Sequence, residues 1–510
     1  MSLSILGCFT KKLWAYCSIF YLFVLIRLSA VFLVQTFFVP DEYYQSLEVA
    51  HKFAFGYGYL TWEWKEGIRS YAYPMIFSFL YKVLKLFAWD SQWAVIYIPR
   101  IAQALLSAYS DLCFYRWSGR THWSLISIST SWFWYYTCSR TLINTFEASL
   151  TTIALSQYPW AGRKVDDHFK FITIVTILFV IRPTSAIIWL PLCWHHIRTL
   201  KTLDFYSIFM NYIWRGLPVL VGSVALDSYC HGSLIITAYK FAKVNVFSNI
   251  GVLYGTHPWH WYLTSGIVTV LGIQILPFLM AVYVILKNKQ NYPNEVALLQ
   301  ASMFSIFVLS CLSHKEARFL LPLLPIMLFI SSKYLFTWTK KATQLRTYLV
   351  LAVIFLGNLF PAWYVGYNHQ RGTLDVMHHL NQVALEAEYI KPQFLFLMPC
   401  HSTPLYSYFH ETVHARFLTC NPNFLNIEGY VDEADQFYAD PEGWWNNKYP
   451  PGAQIPTHII CFDTIDSFFE TNVLNRYERK HQFFHTNFPI DPRIGRYVVV
   501  LELKSNFEGR

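Results

Sequence analysis

LWAYCSIFYLFVLIRLSAVFLVQTFFV, residues 13–39, carries a single charged side chain, Arg27. About 20 consecutive apolar residues cross a bilayer core as a helix, so this run spans with length to spare for tilt. A cleaved leader has a shorter apolar core, about 7–15 residues, and a small-residue cleavage site. Neither is found here, and the run is read as a first membrane helix. Composition agrees: of 510 residues, 54% are hydrophobic, 19% aromatic and only 14% charged, against about 25% charged in a soluble domain.

Further apolar stretches lie near 70–89, 93–115, 121–138, 141–160, 170–194, 212–227, 261–286, 296–313, 319–337 and 347–367, which predicts about eleven membrane-embedded helices. Arg100, Asp111 and Arg140 interrupt the region 93–160, which suits re-entrant or interfacial pieces as well as spans. Lys11–Lys12 precede the first helix, while Lys287, Lys289, Lys333, Lys340, Lys341 and Arg346 flank the late ones. The positive-inside rule assigns these to the cytosol. Loop 40–69, the His314–Arg318 turn and everything after the last helix then face the lumen. The net charge of +9 is scattered rather than gathered into a stripe, which argues against nucleic acid as a partner. No internal repeat is visible, which argues against the repeat-built transporters.

After residue 368 the chain becomes polar, with strand-like runs at Phe394–Met398, Thr457–Phe462 and Tyr497–Leu503 between Pro-, Asn- and Asp-rich turns. The expected architecture is a polytopic α-helical membrane domain, 1–367, and a small C-terminal luminal α+β domain, 368–510, large enough for its own core. Ten cysteines show no C-x-x-C pair and no zinc-like spacing. Cys400 and Cys420 can pair if their compartment is oxidising.

Four clusters carry chemistry. In FVPDEYYQSLEVAH, 38–51, Pro40 suits the first position of a helix, and Asp41 and Glu42 fall in its first turn, where the helix dipole favours negative charge. Asp41, Gln45 and Glu48 form a polar stripe at i, i+4 and i+7, leaving Tyr44, Leu47 and Phe55 to lie against lipid. An interfacial helix with ordinary capping acids fits the same spacing. YGYLTWEWKEGIRSYAYP, 57–74, sets Glu63, Glu66 and Arg69 among aromatics, which suits a sugar or an interfacial aromatic belt. SHKEARFLLPLLP, 313–325, offers His314, Lys315 and Arg318 to a phosphate, or to a snorkelling charge collar. Arg182, beside Pro183 in an apolar run, needs a cavity or a partner. In THPWHWY, 256–262, His257 and His260 lack the acidic or sulfur company that would complete a metal site.

VPDEYYQSLEVAH, GYLTWEW…GIRSYAYP, SRTLINTFE (139–147), IRPTS (181–185), YGTHPWHWY (254–262) and SHKEARFLLPLLP together resemble glycosyltransferase family 22, multispanning mannosyltransferases of the GT-C fold. HQRGTLDVMHHL (369–380), LMPCHSTPLYSY (397–408), ARFLTCNP (415–422) and DEADQFYADPEGW (432–444) resemble the branch acting on glycosylphosphatidylinositol (GPI) precursors. One departure is Val39, where many relatives carry His or Asn before the Pro-Asp-Glu. The resemblance implies an inverting transfer of the third, α1,2-linked mannose from dolichyl-phosphate mannose to the GPI precursor glycolipid, in a multi-pass protein of the endoplasmic reticulum membrane, without a metal or other cofactor. It makes Asp41 or Glu42 the catalytic carboxylate. Gln45, Glu63, Arg69, Arg182, His257, His260, His314, Lys315 and Arg318 are the expected substrate-binding residues. A sibling reaction, the fourth GPI mannose or an N-glycan mannose, and a lipid-glycan transporter or scramblase are the alternatives.

Overall fold

The computed structural model describes residues 2–200, 204–247, 250–387, 391–424, 427–465, 476–489 and 491–504. They form two compact units.

The first unit, Met1–Leu33, Glu66–Tyr73 and Pro99–Ala362, is helical. Among the described residues four helical stretches are long and apolar enough to cross a membrane: Phe205–His231, Tyr262–Lys287, Ala317–Thr339 and Gln344–Glu386. Other apolar stretches are broken into shorter pieces, so a count of about eleven crossings does not follow from helix lengths. Stretch 121–138 divides at Ser131 into helices His122–Thr130 and Trp132–Thr137, with Asn358 Oδ1 accepting the Trp132 N–H at 3.1 Å. Stretch 170–194 divides because a proline disfavours helical geometry in the residue before it. Arg182 is extended (φ −144°, ψ 97°) ahead of Pro183, and helix Phe171–Ile181 stops there.

The charges of the first membrane segment and of region 93–160 answer each other. Arg27 Nε donates to Asp111 Oδ2 at 2.5 Å and its Nη2 to the Ile128 carbonyl at 2.8 Å, while Trp134 Nε1 donates to Asp111 Oδ1 at 2.8 Å. Both charged side chains are fully buried. Such a pair is tolerated only when its remaining hydrogen-bonding capacity is largely used.

The second unit, Val34–Lys65, Pro74–Ile98 and Trp363–Arg510, cuts the chain differently from the change in texture at 367/368. Its centre is a five-stranded mixed sheet in the order β2-β1-β3-β5-β4: β1 Gln393–Leu397, β2 His414–Phe417, β3 His458–Phe462, β4 Tyr477–Phe484 and β5 Tyr497–Leu503. β1 pairs parallel with β2 and β3; β5 pairs antiparallel with β3 and β4. The β-branched runs of β3 and β5 sit inside the sheet, and the charged β4 forms an edge, where Lys and Arg discourage pairing with another chain. Leu395, Leu397, Ile459, Cys461, Val499 and Leu501 pack on Phe437, Trp444 and Trp445. Those aromatics come from helices Glu433–Ala439 and Pro441–Lys448, capped by Asp432 and Asp440. Helix Gly372–Glu386 packs on β4 and β5. It needs glycine at its start, since a Cβ at Gly372 would lie 2.8 Å from the Phe484 carbonyl oxygen.

Residues from the early chain join this unit through backbone bonds: Gln35 N–H to Gly366 O at 2.8 Å and Phe37 N–H to Gln370 O at 2.9 Å.

Candidate active site

The expected helix after residue 39 forms, and Tyr43 and Tyr44 both donate their N–H to Pro40 O at 3.0 Å. It continues as a π-helical turn, Tyr43–Leu47, and then as α-helix Glu48–Phe55. Single π turns recur at functional sites. The expectation that Tyr44 and Leu47 face lipid is corrected: they are 3% and 2% exposed, and segment 400–410 covers Tyr44. Tyr44 donates its hydroxyl to Thr403 O at 2.9 Å, and its ring lies 4.4 Å from that of His401.

Asp41 is half-buried at the start of this helix, whereas the neighbouring Glu42 is 2% exposed. Gln45 and Glu63 are brought together, Gln45 Nε2 donating to Glu63 Oε2 at 3.3 Å. Glu48 is wholly buried and receives the N–H groups of Leu405 (2.9 Å), Tyr406 (3.1 Å) and Ser407 (3.1 Å) and the Ser407 hydroxyl (2.6 Å). Burial pushes its carboxyl upward although these four donors oppose it. Of the three polar positions Asp41, Gln45 and Glu48, only the first keeps exposure: Gln45 and Glu48 are both buried, and Glu48 anchors the chain rather than facing solvent.

Two further features escaped sequence reasoning. His401 sits at φ +61°, a strained backbone for a residue with a side chain, inside the loop that the Cys400–Cys420 disulfide closes. Burial pushes its imidazole down to about 4, against the pull of the Asp41 charge. Cys400, His401 and Cys420 lie within 4.8 Å of one another, but the sulfurs are bonded to each other, which leaves one imidazole where a metal needs several ligands. Second, His51 Nε2 and His410 Nδ1 share a hydrogen bond at 3.0 Å, with Asp90 Oδ2 3.7 Å from His410 Nε2.

Of the aromatic run 57–74, Trp62, Trp64, Tyr71 and Tyr73 are buried packing residues, while Tyr57 and Tyr59 remain half-exposed. Trp64 Nε1 donates to Tyr44 O at 3.0 Å.

The basic candidates belong to the first unit. Arg318 grips Glu316 with two bonds, Nε to Oε2 at 2.7 Å and Nη2 to Oε1 at 2.6 Å, and His314 Nε2 donates to the same carboxylate at 2.9 Å. Burial opposes ionisation of Glu316, but Arg318 and His314 outweigh it and hold the carboxyl well below its usual range. Burial also lowers His314, and Glu316 more than reverses this, so its pKa is raised. Lys315 is spent on backbone, donating to the His257 carbonyl at 3.0 Å and to that of Leu312. Arg182 meets Glu147 at 3.1 Å, and both Arg182 and Arg318 lie over the Phe319 ring, at 5.3 and 5.4 Å. His257 stacks on Trp261 at 4.7 Å, and His257 and His260 are exposed. Arg69 lies over Phe241 at 5.7 Å. The buried Glu147 and the partly exposed Glu316 stand in plain view within SRTLINTFE and SHKEAR. Only their pairing is new.

The Alg9-like mannosyltransferase family model matches residues 18–410. GPI mannosyltransferase 3 of Drosophila melanogaster is 46% identical over 92% of this chain and 83% of its own length. GPI alpha-1,2-mannosyltransferase 3 of Homo sapiens is 41% identical over 94% of this chain and 86% of its own. Among solved structures, ArnT from Cupriavidus metallidurans bound to undecaprenyl phosphate superposes with a TM-score of 0.55 at 13% identity, covering 95% of this chain and 98% of that one. The chain therefore shares the GT-C fold expected of it.

Proposed function

Because the chain belongs to the Alg9-like mannosyltransferase family, we propose that it adds the third mannose of the GPI anchor, taking it from dolichyl-phosphate mannose on the luminal side of the endoplasmic reticulum membrane. It is an α1,2-mannosyltransferase of GPI-anchor assembly. The donor, the position of the mannose, the compartment and about eleven membrane-embedded helices are the finer parts of the proposal.

The observation that carries the assignment of roles is the contrast between Asp41 and Glu42 at one helix start: the first is accessible and the second buried. In an inverting transfer the acceptor's 2-hydroxyl oxygen attacks the anomeric carbon of the donor mannose. The bond from that carbon to the phosphate oxygen breaks, and dolichyl phosphate leaves with the electron pair. The hydroxyl proton goes to Asp41 acting as general base. Glu42 supports the helix start from inside. Gln45 and Glu63 are proposed to hold acceptor hydroxyls, with Arg69 at the far end of the same loop. The leaving phosphate carries its own charge, so cations can stabilise its departure without a general acid or a metal cofactor. That role falls to His314 and Arg318, with Arg182 beside the shared Phe319 ring and Lys315, His257 and His260 shaping the turn. When His314 is protonated, it and Arg318 leave one net positive charge after Glu316 is neutralised.

Lipid analysis of cells lacking the protein tests the reading. Accumulation of a GPI precursor with two core mannoses is expected. Accumulation of a three-mannose species instead would assign the chain to the following step.

A further inference from the structure

Helices Ile275–Lys287, Leu324–Thr339 and Gln344–Trp363 of the first unit border a groove of about 280 Å³ whose wall holds no charged side chain. Leu276, Met280, Leu349 and Val353 form its rim, each more than half exposed. Its floor is firm. Leu335 and Ile354 are buried against Trp123, whose Nε1 donates to Thr339 Oγ1 at 3.2 Å. Leu335 and Ile354 need no cover, whereas the rim does, and in a bilayer the cover is lipid.

The charges at one end say which lipid. Helix His122–Thr130 fixes the direction of its neighbours. Trp123 bonds Thr339, one step from the turn that holds Lys341 and leads into the helix that carries Arg346. Further on, Ser127 O accepts from Gln274 Nε2 at 3.0 Å, and past the break at Ser131 the Trp132 ring lies against Gly272 while its N–H reaches Asn358. Moving from Gly272 to Gln274 is therefore moving toward Thr339, and the helix that continues to Lys287 arrives at the same end. Residues three, four and seven apart share a helix face. Lys287 follows Met280 by seven, and Arg346 precedes Leu349 by three and Val353 by seven. Lys341 follows Trp338 by three, in the turn that ends its helix. Helix Ile275–Lys287, the turn after helix Leu324–Thr339 and helix Gln344–Trp363 thus bring the exposed cations Lys287, Lys341 and Arg346 to the same mouth of an apolar slot. The His314–Arg318 turn lies before the opposite end of helix Leu324–Thr339, so this cluster is separate from the one assigned to the donor.

We propose that the groove is a binding site for one anionic glycerophospholipid, an acyl chain in the slot and the headgroup phosphate against Lys287, Lys341 and Arg346. Basic pockets between membrane helices hold anionic headgroups in this way. The inference is independent of the catalytic assignment.

The purified full chain, reconstituted in phosphatidylcholine bilayers with or without phosphatidylinositol and released for native mass spectrometry, should retain one phosphatidylinositol in preference to phosphatidylcholine. Lys341→Glu with Arg346→Glu should weaken that preference by at least roughly 25-fold, a factor of about five for each cation lost. Val353→Trp, which fills the slot, should abolish retention while mannose transfer persists; if that variant does not fold, Val353→Phe should lower retention in the same sense. Equal retention of both lipids, or retention untouched by charge reversal or by filling the slot, would overturn the proposal. So would recovery of a polyprenyl phosphate in place of the phospholipid.

Discussion

Ser407 gives both its backbone N–H, at 3.1 Å, and its hydroxyl, at 2.6 Å, to one oxygen of Glu48, 359 residues earlier in the chain. Leu405 and Tyr406 complete the cradle. Glu48→Gln keeps the shape but turns an amide N–H₂ toward backbone donors, and an unsatisfied buried partner costs about 1–3 kcal/mol. A lowered melting temperature in detergent and faster proteolysis within 400–410 are expected. Unchanged values would mean that the cradle does not hold the segment.

Asp41→Asn cannot accept a proton, so transfer should fall by about 100-fold or more, the scale of a lost general base. Glu42→Gln should cost less turnover and more abundance, because Glu42 is buried. The comparison is a microsomal assay at matched expression. An active Asp41→Asn enzyme beside an inactive Glu42→Gln enzyme reverses the roles.

Arg182→Met leaves Glu147 buried without its ion pair, and breaking such a pair costs about 3–5 kcal/mol. Protein abundance should drop. The double variant Arg182→Met with Glu147→Gln should recover abundance, yet not transfer, if the guanidinium also serves the donor. Recovery of both would confine Arg182 to a structural role.

The pH response of the basic turn has a definite sign. His314 has a raised pKa, so the stability it lends is complete below its ordinary value of 6.5 and is lost as pH climbs through the raised value. Glu316 is lowered, so its share is present above 4.5 and disappears only in strong acid. His314 faces Glu316, Arg318 and the Gly255 carbonyl. Thermal midpoints of the wild type should decline as pH rises above 6.5, and His314→Gln should flatten that decline. Parallel curves would show that another group titrates.

The Cys400–Cys420 bridge closes a loop of 20 residues. Chain-entropy reasoning assigns such a closure about 3 kcal/mol. Cys420→Ala, or reduction, should lower the melting temperature and expose the 400–420 segment to protease. Insensitivity to reductant would sink this.

Local signals were legible wherever the neighbours that decide them are local. The apolar first run, the acidic helix start at Pro40 and strands β1, β3 and β5 follow from runs of one texture. β4, YERKHQFF, has no apolar alternation because it is an edge exposed along most of its length, and β2 is only four residues long. Tyr44 reads as lipid-facing because its cover comes from segment 400–410. Arg27 and Asp111 likewise lie 84 residues apart, and Arg182 and Glu147 share no sequence motif. Pairing across such distances leaves no periodic trace for a sequence to show.

The second unit is assembled from segments that leave the ribosome at opposite ends of synthesis. At about 5–20 residues per second, the donors that embrace Glu48 are made roughly 20–70 s after it. Throughout that interval the acidic helix is a nascent element with its apolar tyrosines uncovered. A chain that ends before Thr403 therefore keeps Glu48 and Tyr44 but lacks the groups of Thr403, Leu405, Tyr406 and Ser407 that close over them.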